Sequence, residues 1–154
     1  MYNSEYYIFK RGDIMKINSI LKQDFHTIHA NDSIDKALDF MNESNINGMP
    51  VVDVDNNLVG MVVKADIYRF MVHPGHYVSC PVEWVMSKSV IVAQSNEDLF
   101  TIARRLRKND IISMPVVENE KIIGIISIED LLDYFLNIDL QNEGSSFIED
   151  SSEK

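Results

Sequence analysis

A chain of 154 residues with 45% hydrophobic and 25% charged residues has the composition of one globular domain with a substantial core. Its formal net charge of −10 argues against a general binder of nucleic acid or of anionic membrane, since both need a basic surface. No apolar run reaches the roughly 18 residues of a membrane span, the first residues do not resemble a signal peptide, and the single Cys80 cannot form an internal disulfide. We therefore expect a cytoplasmic protein.

Hydrophobic periodicity and turn residues predict the elements of the first half. Residues 1–16 form an N-terminal extension without an assigned element. The following predicted elements are a strand over 25–29, a helix that carries Ile34, Ala37, Leu38 and Met41 on one face, strands over 49–53 and 58–63, and a helix from Lys64 to near Met71.

The second half repeats this order after a short linker. Its predicted elements are a strand over 90–93, a helix over 97–108, strands over 114–118 and 122–127, and a helix that ends at about Leu140. The domain boundaries that follow are a first repeat over 17–73, a linker over 74–81, a second repeat over 82–140 and an acidic, disordered tail over 141–154.

Sequence blocks repeat as well as elements. Met-Pro-Val-Val followed by an acidic residue begins at Met49 and again at Met114, and a Gly-containing apolar run ends three residues before Asp66 and again before Asp130. The period is about 65 residues with two copies, which predicts a pseudo-symmetric pair that buries a shared face.

The end of the second apolar run is the strongest candidate for a binding site. Ser127 lies at a strand-to-helix junction, where free backbone N–H groups and the helix dipole favour a phosphate or a polar ligand. Asp130 can accept hydrogen bonds from both hydroxyls of a ribose. The same Ser-x-x-Asp spacing is close to a capping box, so the two residues could instead only stabilise the start of a helix.

The order and repetition of these blocks over residues 17–137 resemble a tandem pair of CBS domains (cystathionine-β-synthase-type repeats), known as a Bateman module. The resemblance implies an α+β fold of two pseudo-symmetric β-α-β-β-α repeats packed sheet to sheet. It also implies that two clefts between the repeats bind an adenosine-containing effector, such as AMP, ADP, ATP, S-adenosylmethionine or cyclic di-AMP. Such modules regulate an enzyme, transporter or other effector protein and often form homodimers. With no effector domain in the sequence, the chain resembles a stand-alone module.

Two sets of ligand-binding residues follow from the resemblance. The main cleft is expected to contain Ser127, Asp130, Ile126, the turn Ile112, Ser113, Met114 and Pro115, and the leading strand of the first repeat at Leu21, Lys22, Asp24, Phe25 and His26. The second cleft is expected to contain Asp66, Lys64, Asn47, Gly48, Met49, Met86, Ser87, Val90 and Ile91.

The first repeat departs from the family pattern at Val63, where a serine or threonine is expected. Because valine accepts no hydrogen bond and is a poor N-cap, we expect the cleft at Asp66 to bind more weakly than the cleft at Asp130. The family's basic residues ahead of the Met-Pro turns are also missing. A monophosphate or a phosphate-free adenosyl ligand therefore fits better than a triphosphate.

No catalytic constellation is present in the sequence. His26 and His29 would point to opposite faces of a strand, His73 and His76 read as solvated loop residues rather than metal ligands, and Cys80 has no assigned activating base. We expect no enzyme activity, no metal and no cofactor other than the effector. The alternative to a ligand sensor is a dimeric interaction scaffold whose clefts are vestigial.

Overall fold

The structure, a computed structural model, describes residues 17–119 and 121–146. The first repeat consists of β1 (Ile28–His29), α1 (Ile34–Glu43), β2 (Gly48–Val52), β3 (Leu58–Val63) and α2 (Lys64–Met71). The second consists of β4 (Ala93–Gln94), α3 (Leu99–Lys108), β5 (Ser113–Glu118), β6 (Lys121–Ser127) and α4 (Ile128–Ser146). The predicted extension over 1–16 and residues 147–154 of the predicted tail lie outside the described residues.

Each repeat forms a three-stranded sheet with the same topology. In the first, β2 lies between β1, which is parallel to it, and β3, which is antiparallel; β4, β5 and β6 are arranged in the same way. The predicted α+β class with two β-α-β-β-α repeats is confirmed.

Both central strands contain a proline, which lacks the N–H that a sheet ladder uses. Pro50 lies opposite Met61 in the register of β2 and β3. Met61 directs both its N–H and its C=O away from Pro50, to Ser87 of the second repeat, at 2.9 and 2.8 Å. The N–H that Pro50 lacks therefore leaves no backbone group of Met61 without a hydrogen-bond partner. Pro115 lies opposite Ile125 in the same way, and Ile125 pairs with Lys22 of the first repeat.

The segment at the start of each repeat, residues 17–22 in the first and 82–87 in the second, packs against the other repeat; we call these the leading segments. Ile17, at the start of the described chain, is fully buried in the hydrophobic core of the second repeat together with Met114 and Ile126. Val82 is fully buried in the core of the first repeat, with Met49. Each core is therefore completed by the other half of the chain, so neither repeat is an independent folding unit.

The exchange also explains where two predicted strands differ from the structure. Strand pairing in the first repeat begins only at Ile28, because Lys22 is already paired with β6 of the other repeat. Similarly, Ser87 pairs with β3, and the strand predicted over 90–93 is observed as Ala93–Gln94.

The last helix is longer than predicted. Its glycine, serine and acidic residues favoured disorder from residue 141 onward, but α4 continues to Ser146. The helix predicted over 97–108 begins slightly later, at Leu99, because the Asp98 carboxylate caps it by accepting a hydrogen bond from the Thr101 N–H at 2.9 Å.

Candidate functional site

Ser127 and Asp130 form a reciprocal cap at the start of α4. The Asp130 carboxylate accepts hydrogen bonds from the Ser127 N–H at 2.9 Å and from its hydroxyl at 2.7 Å, while the Ser127 Oγ accepts one from the Asp130 N–H at 3.1 Å. This is the capping arrangement that the sequence left open as the alternative. It uses one carboxylate oxygen, Oδ2, and leaves Oδ1 for another donor.

Lys22 of the first repeat supplies that donor. Its ammonium lies 2.5 Å from Asp130 Oδ1, and the Asp130 side chain retains only 8% exposure. Burial acts to raise the pKa of this carboxyl, but the hydrogen bonds from Lys22 and Ser127 outweigh it, so the pKa lies below its ordinary value. In the same pair, the hydrogen bond to Asp130 raises the pKa of Lys22. Asp130 is therefore ionised, and both of its oxygens already have partners.

Gly60 in β3 and Gly124 in β6 each let the leading segment of the other repeat lie close to the strand. A Cβ on Gly124 would lie 2.5 Å from Leu21 Cδ1 and 2.8 Å from the Lys22 carbonyl oxygen. A Cβ on Gly60 would lie 2.5 Å from Met86 Sδ. Contacts this short do not occur between real side chains, so the repeated glycine is explained by the exchange between repeats.

The equivalent junction in the first repeat is arranged differently. Val63 is the N-cap of α2 and makes no side-chain capping bond, as its chemistry predicts. The Asp66 carboxylate pairs instead with Arg69 on the same helix, at 2.5 Å, and its side chain remains 35% exposed. Asp66 is thus the more accessible of the two aspartates.

A cavity of about 580 Å³ adjoins the junction at Asp66. Both repeats line it: the start of α2 and the end of β3 contribute from the first, and the segment before β4 and the turn before β5 contribute from the second. Its lining residues are Asn47, Met61, Val63, Lys64, Ala65, Asp66, Ser87, Ser89, Val90, Ile91, Asp110, Ile111, Ile112, Ser113 and Pro115. Of the residues predicted for the second cleft, Lys64, Asp66, Asn47, Ser87, Val90 and Ile91 are among them.

Three residues predicted to touch a ligand do not reach either cleft. Met49, Met114 and Ile126 are fully buried in the hydrophobic cores. Strand alternation turns these side chains into the cores, where they support the sheets. Gly48 and Met86 also lie outside the cavity lining; Gly48 pairs with Val63 in the sheet, and Met86 packs on the first core.

The turn predicted for the main cleft lies between the two junctions. Ser113 is opposite Ser127 in the register of β5 and β6, and the Ile112 carbonyl accepts a hydrogen bond from the Ile128 N–H at 2.9 Å. However, Ile112, Ser113 and Pro115 also line the cavity beside Asp66. The sequence placed this turn in the cleft of Asp130 and missed its second contact.

The predicted leading strand of the first repeat contributes to the Asp130 junction through Leu21 and Lys22. His26 instead lies against the ring of Phe40 on α1, with 5.8 Å between ring centroids. Asp24 is exposed and Phe25 is half-buried.

Several cavity residues were missed by sequence reasoning. Ser89 and Ile111 are sequence neighbours of predicted positions, and that proximity was the available signal. Asp110 follows the end of α3 and gave no signal, because the family motif does not include it. Its position in the cavity depends on how the two repeats pack.

Within residues 17–119 and 121–146, no helix combines the length and apolar character needed to cross a bilayer. Over the same ranges, no group of three or more histidine, cysteine, aspartate or glutamate side chains is arranged to hold a metal ion.

Comparison of the sequence with models of protein families agrees with the two-repeat structure. The model of the CBS domain matches this chain twice, over residues 12–73 and 82–137. This chain belongs to the CBS-domain family. The two matches correspond to the two structural repeats.

Solved CBS-domain structures extend the comparison. The CBS domain pair of protein MJ0100, in complex with 5′-methylthioadenosine and S-adenosyl-L-methionine, is 30% identical to this chain, with a TM-score of 0.73 over 80% of this chain and 98% of that chain. CBSX2 in complex with AMP is 25% identical, with a TM-score of 0.73 over 81% of this chain and 98% of that chain.

A curated relative is much longer than this chain. Homoserine O-acetyltransferase from Methanococcus vannielii is 30% identical over 116 residues, which make up 75% of this chain but 24% of the relative. This chain therefore spans about a quarter of that protein's length.

Proposed function

We propose that this chain is a regulatory CBS pair that binds one adenosine-containing small molecule in the cavity beside Asp66. The observation that carries the proposal is the cavity of about 580 Å³ between the repeats, a volume within the usual range for small-molecule sites. Because both repeats line it, a bound molecule bridges them, and its binding depends on how the repeats are arranged.

The lining suits the parts of an adenosine. Met61, Val90 and Ile91 offer an apolar surface for a planar base. The Asp66 carboxylate can accept hydrogen bonds from the ribose hydroxyls. Arg69 pairs with its Oδ1, so Oδ2 is the oxygen offered to the ligand.

No side chain caps the start of α2, where the Lys64 N–H donates to the Asn47 carbonyl at 2.9 Å. The positive end of the helix dipole therefore favours a polar ligand atom near the following residues, Ala65 and Asp66.

This choice of cleft reverses the order expected from Val63 alone. At the Asp130 junction, Ser127 and Lys22 both bind the carboxylate, so a ligand there competes with two partners. At the Asp66 junction, the carboxylate pairs with Arg69 and no side chain caps α2. Val63 thus favours ligand binding at α2 by the same property that makes it a poor N-cap.

The relatives' ligands support an adenosine compound as the effector. The CBS pair of MJ0100 holds 5′-methylthioadenosine and S-adenosyl-L-methionine, and CBSX2 holds AMP. All three molecules share the adenosine group that the lining of this cavity suits.

The regulatory output is proposed to involve a homodimer. Tyr68 of α2 and Leu132 of α4 are exposed hydrophobic residues at the same position, counted from the first residues of the two helices. Leu136 of α4 and Val72, the residue that follows α2, form a second such pair. A two-fold dimer would bury both helices of each copy at once. A second copy of this chain is therefore the proposed occupant of this surface, with the effector protein and a cytoplasmic location remaining parts of the same proposal.

A thermal-shift screen tests the proposal. The purified protein is heated with AMP, ADP, ATP, 5′-methylthioadenosine, S-adenosylmethionine, cyclic di-AMP and NAD, each in large excess. A ligand of the native state stabilises it by about 2.7 kcal/mol at a hundredfold excess over its Kd. At least one adenosine compound should raise the Tm of the wild type and of Arg69→Ala clearly more than that of Asp66→Ala. The absence of any shift would favour the alternative, a dimeric scaffold with vestigial clefts.

A further inference from the structure

Two of the three charged residues that line the cavity beside Asp66 are acidic. These three residues are Lys64, Asp66 and Asp110. Arg69 partly neutralises Asp66, but Asp110 is exposed and forms no ion pair within the described residues. A ligand in the cavity thus meets the Asp110 carboxylate, with Lys64 as the one cationic lining residue, in a chain whose formal net charge is −10.

The carboxylate of Asp110 is not required by the local backbone. Asp110 has a φ of 52°, in the left-handed region that aspartate and asparagine tolerate better than most residues. The first repeat has the same conformation at the same place after its helix, where Asn45 also has a φ of 52°. Asparagine therefore satisfies this turn in one repeat, and the charge at Asp110 needs a different explanation.

We propose that Asp110 makes the cavity select adenosine compounds without a phosphate, uncharged or cationic, over those that carry one. This inference rests on the proposed function, because it concerns the ligand class of the same cavity. A phosphate monoester carries roughly −1.5 to −2 charges at neutral pH. In a partly enclosed site it is repelled by Asp110, and Lys64 supplies a single compensating charge. A thioether nucleoside carries no charge to repel, and a sulfonium nucleoside is attracted.

The test compares 5′-methylthioadenosine with AMP, which differ at the 5′ substituent. Kd values are measured by isothermal titration calorimetry for the wild type and for Asp110→Asn, which keeps the size and turn preference of the side chain. The wild type should bind 5′-methylthioadenosine about tenfold more tightly than AMP, and Asp110→Asn should bind AMP at least about threefold more tightly than the wild type does. Its Kd for 5′-methylthioadenosine should stay within about twofold of the wild-type value.

Two controls distinguish an effect of the charge at Asp110 from an effect of the net charge of the whole protein. Asp55→Asn removes one charge from the exposed turn between β2 and β3, outside the cavity lining, and should leave both Kd values unchanged. Raising the salt from about 0.1 M to about 1 M shortens the Debye length from about 10 to about 3 Å. In the wild type, the ratio of the Kd for AMP to the Kd for 5′-methylthioadenosine should therefore decrease.

The outcomes separate this inference from the proposed function. If both compounds bind the wild type and Asp110→Asn leaves the Kd for AMP unchanged, the role of Asp110 is refuted while the cavity remains the site. Equal affinity of the wild type for the two compounds refutes it as well. If neither compound binds the folded wild type, this inference is refuted, whereas the proposed function fails only if no adenosine compound of the thermal-shift screen binds.

Discussion

Lys22 and Asp130 lie 2.5 Å apart across the boundary between the two repeats. Lys22 belongs to the leading segment of the first repeat and Asp130 to the last helix of the second. The contact fixes the leading segment to the start of α4, where the backbone of Lys22 already pairs with Ile125. It also occupies the carboxylate that the sequence assigned to a ligand. We therefore propose that this aspartate acts mainly on stability.

Replacing Asp130 by alanine should lower the free energy of unfolding by about 1–3 kcal/mol. The change removes the cap on α4 and the partner of Lys22, and leaves the Ser127 N–H with fewer acceptors. Urea unfolding measures the loss. Asp66→Ala is the matched control, because Asp66 makes no capping bond and pairs only with the exposed Arg69; it should cost less than about 1 kcal/mol. Equal losses for the two variants would contradict a special role of the Asp130 cap.

The contribution of Asp130 to stability should depend on pH. Its folded pKa lies below the ordinary value, so its stabilising effect is complete above the ordinary pKa of about 4 and is lost as the pH falls through the lower folded pKa. The stability difference between wild type and Asp130→Asn should therefore be larger at neutral pH than at pH 3 or below. Urea unfolding of both proteins across this range checks the sign. A difference that grows toward acid would contradict the direction of the shift.

Gly124→Ala should destabilise the protein by about 1–3 kcal/mol, because the new Cβ would lie 2.8 Å from the backbone oxygen of Lys22. A backbone atom in a strand pairing cannot move aside as a flexible side chain can. Gly60→Ala should cost less, since its closest contact is the flexible end of Met86.

The double variant Leu21→Ala/Gly124→Ala separates the two contacts of Gly124. It removes the side-chain clash at Leu21 but keeps the clash with the Lys22 carbonyl, so shortening Leu21 should rescue little of the Gly124→Ala loss. Thermal unfolding of the single and double variants measures this. Full rescue would show that the leading segment does not approach β6 through its backbone.

Leu132→Asp should convert a dimer into a monomer. The substitution places a charge among the exposed apolar residues of α4, where the two copies are proposed to meet. Sedimentation velocity of both proteins measures the state. Val54→Asp is the control, since Val54 is also apolar and exposed but lies in the turn after β2; this variant should remain dimeric. A monomeric wild type, or a dimeric Leu132→Asp, would contradict the assignment of this surface.

The repeated fold could be predicted from sequence because its signals are local. The Met-Pro-Val-Val blocks, the glycine three residues before each junction and the turn at Asp53 each depend on a few neighbouring residues, and the structure contains the elements they predict. The Asp53 carboxylate, for example, accepts hydrogen bonds from the N–H groups of Asp55 and Asn57, both at 2.9 Å. Such turn chemistry does not depend on the rest of the chain.

The choice between the two clefts could not be predicted in the same way. It depends on Lys22, which is remote from Asp130 in sequence, and on Asp110, which lines the cavity only because the repeats pack together. The sequence correctly identified Val63 as a poor N-cap. How the missing cap at Val63 affects binding depends on the space around α2, and a local sequence pattern does not predict that space.

The proposed binding site for an adenosine compound is the cavity beside Asp66 and not the junction at Asp130. Calorimetric titration of 5′-methylthioadenosine into the wild type, Asp66→Ala and Asp130→Ala tests it most directly. We predict saturable binding to the wild type and to folded Asp130→Ala, with the affinity of Asp66→Ala reduced about tenfold or more. Binding that survives in Asp66→Ala and is lost in Asp130→Ala would contradict the claim and return the site to the junction of Ser127 and Asp130.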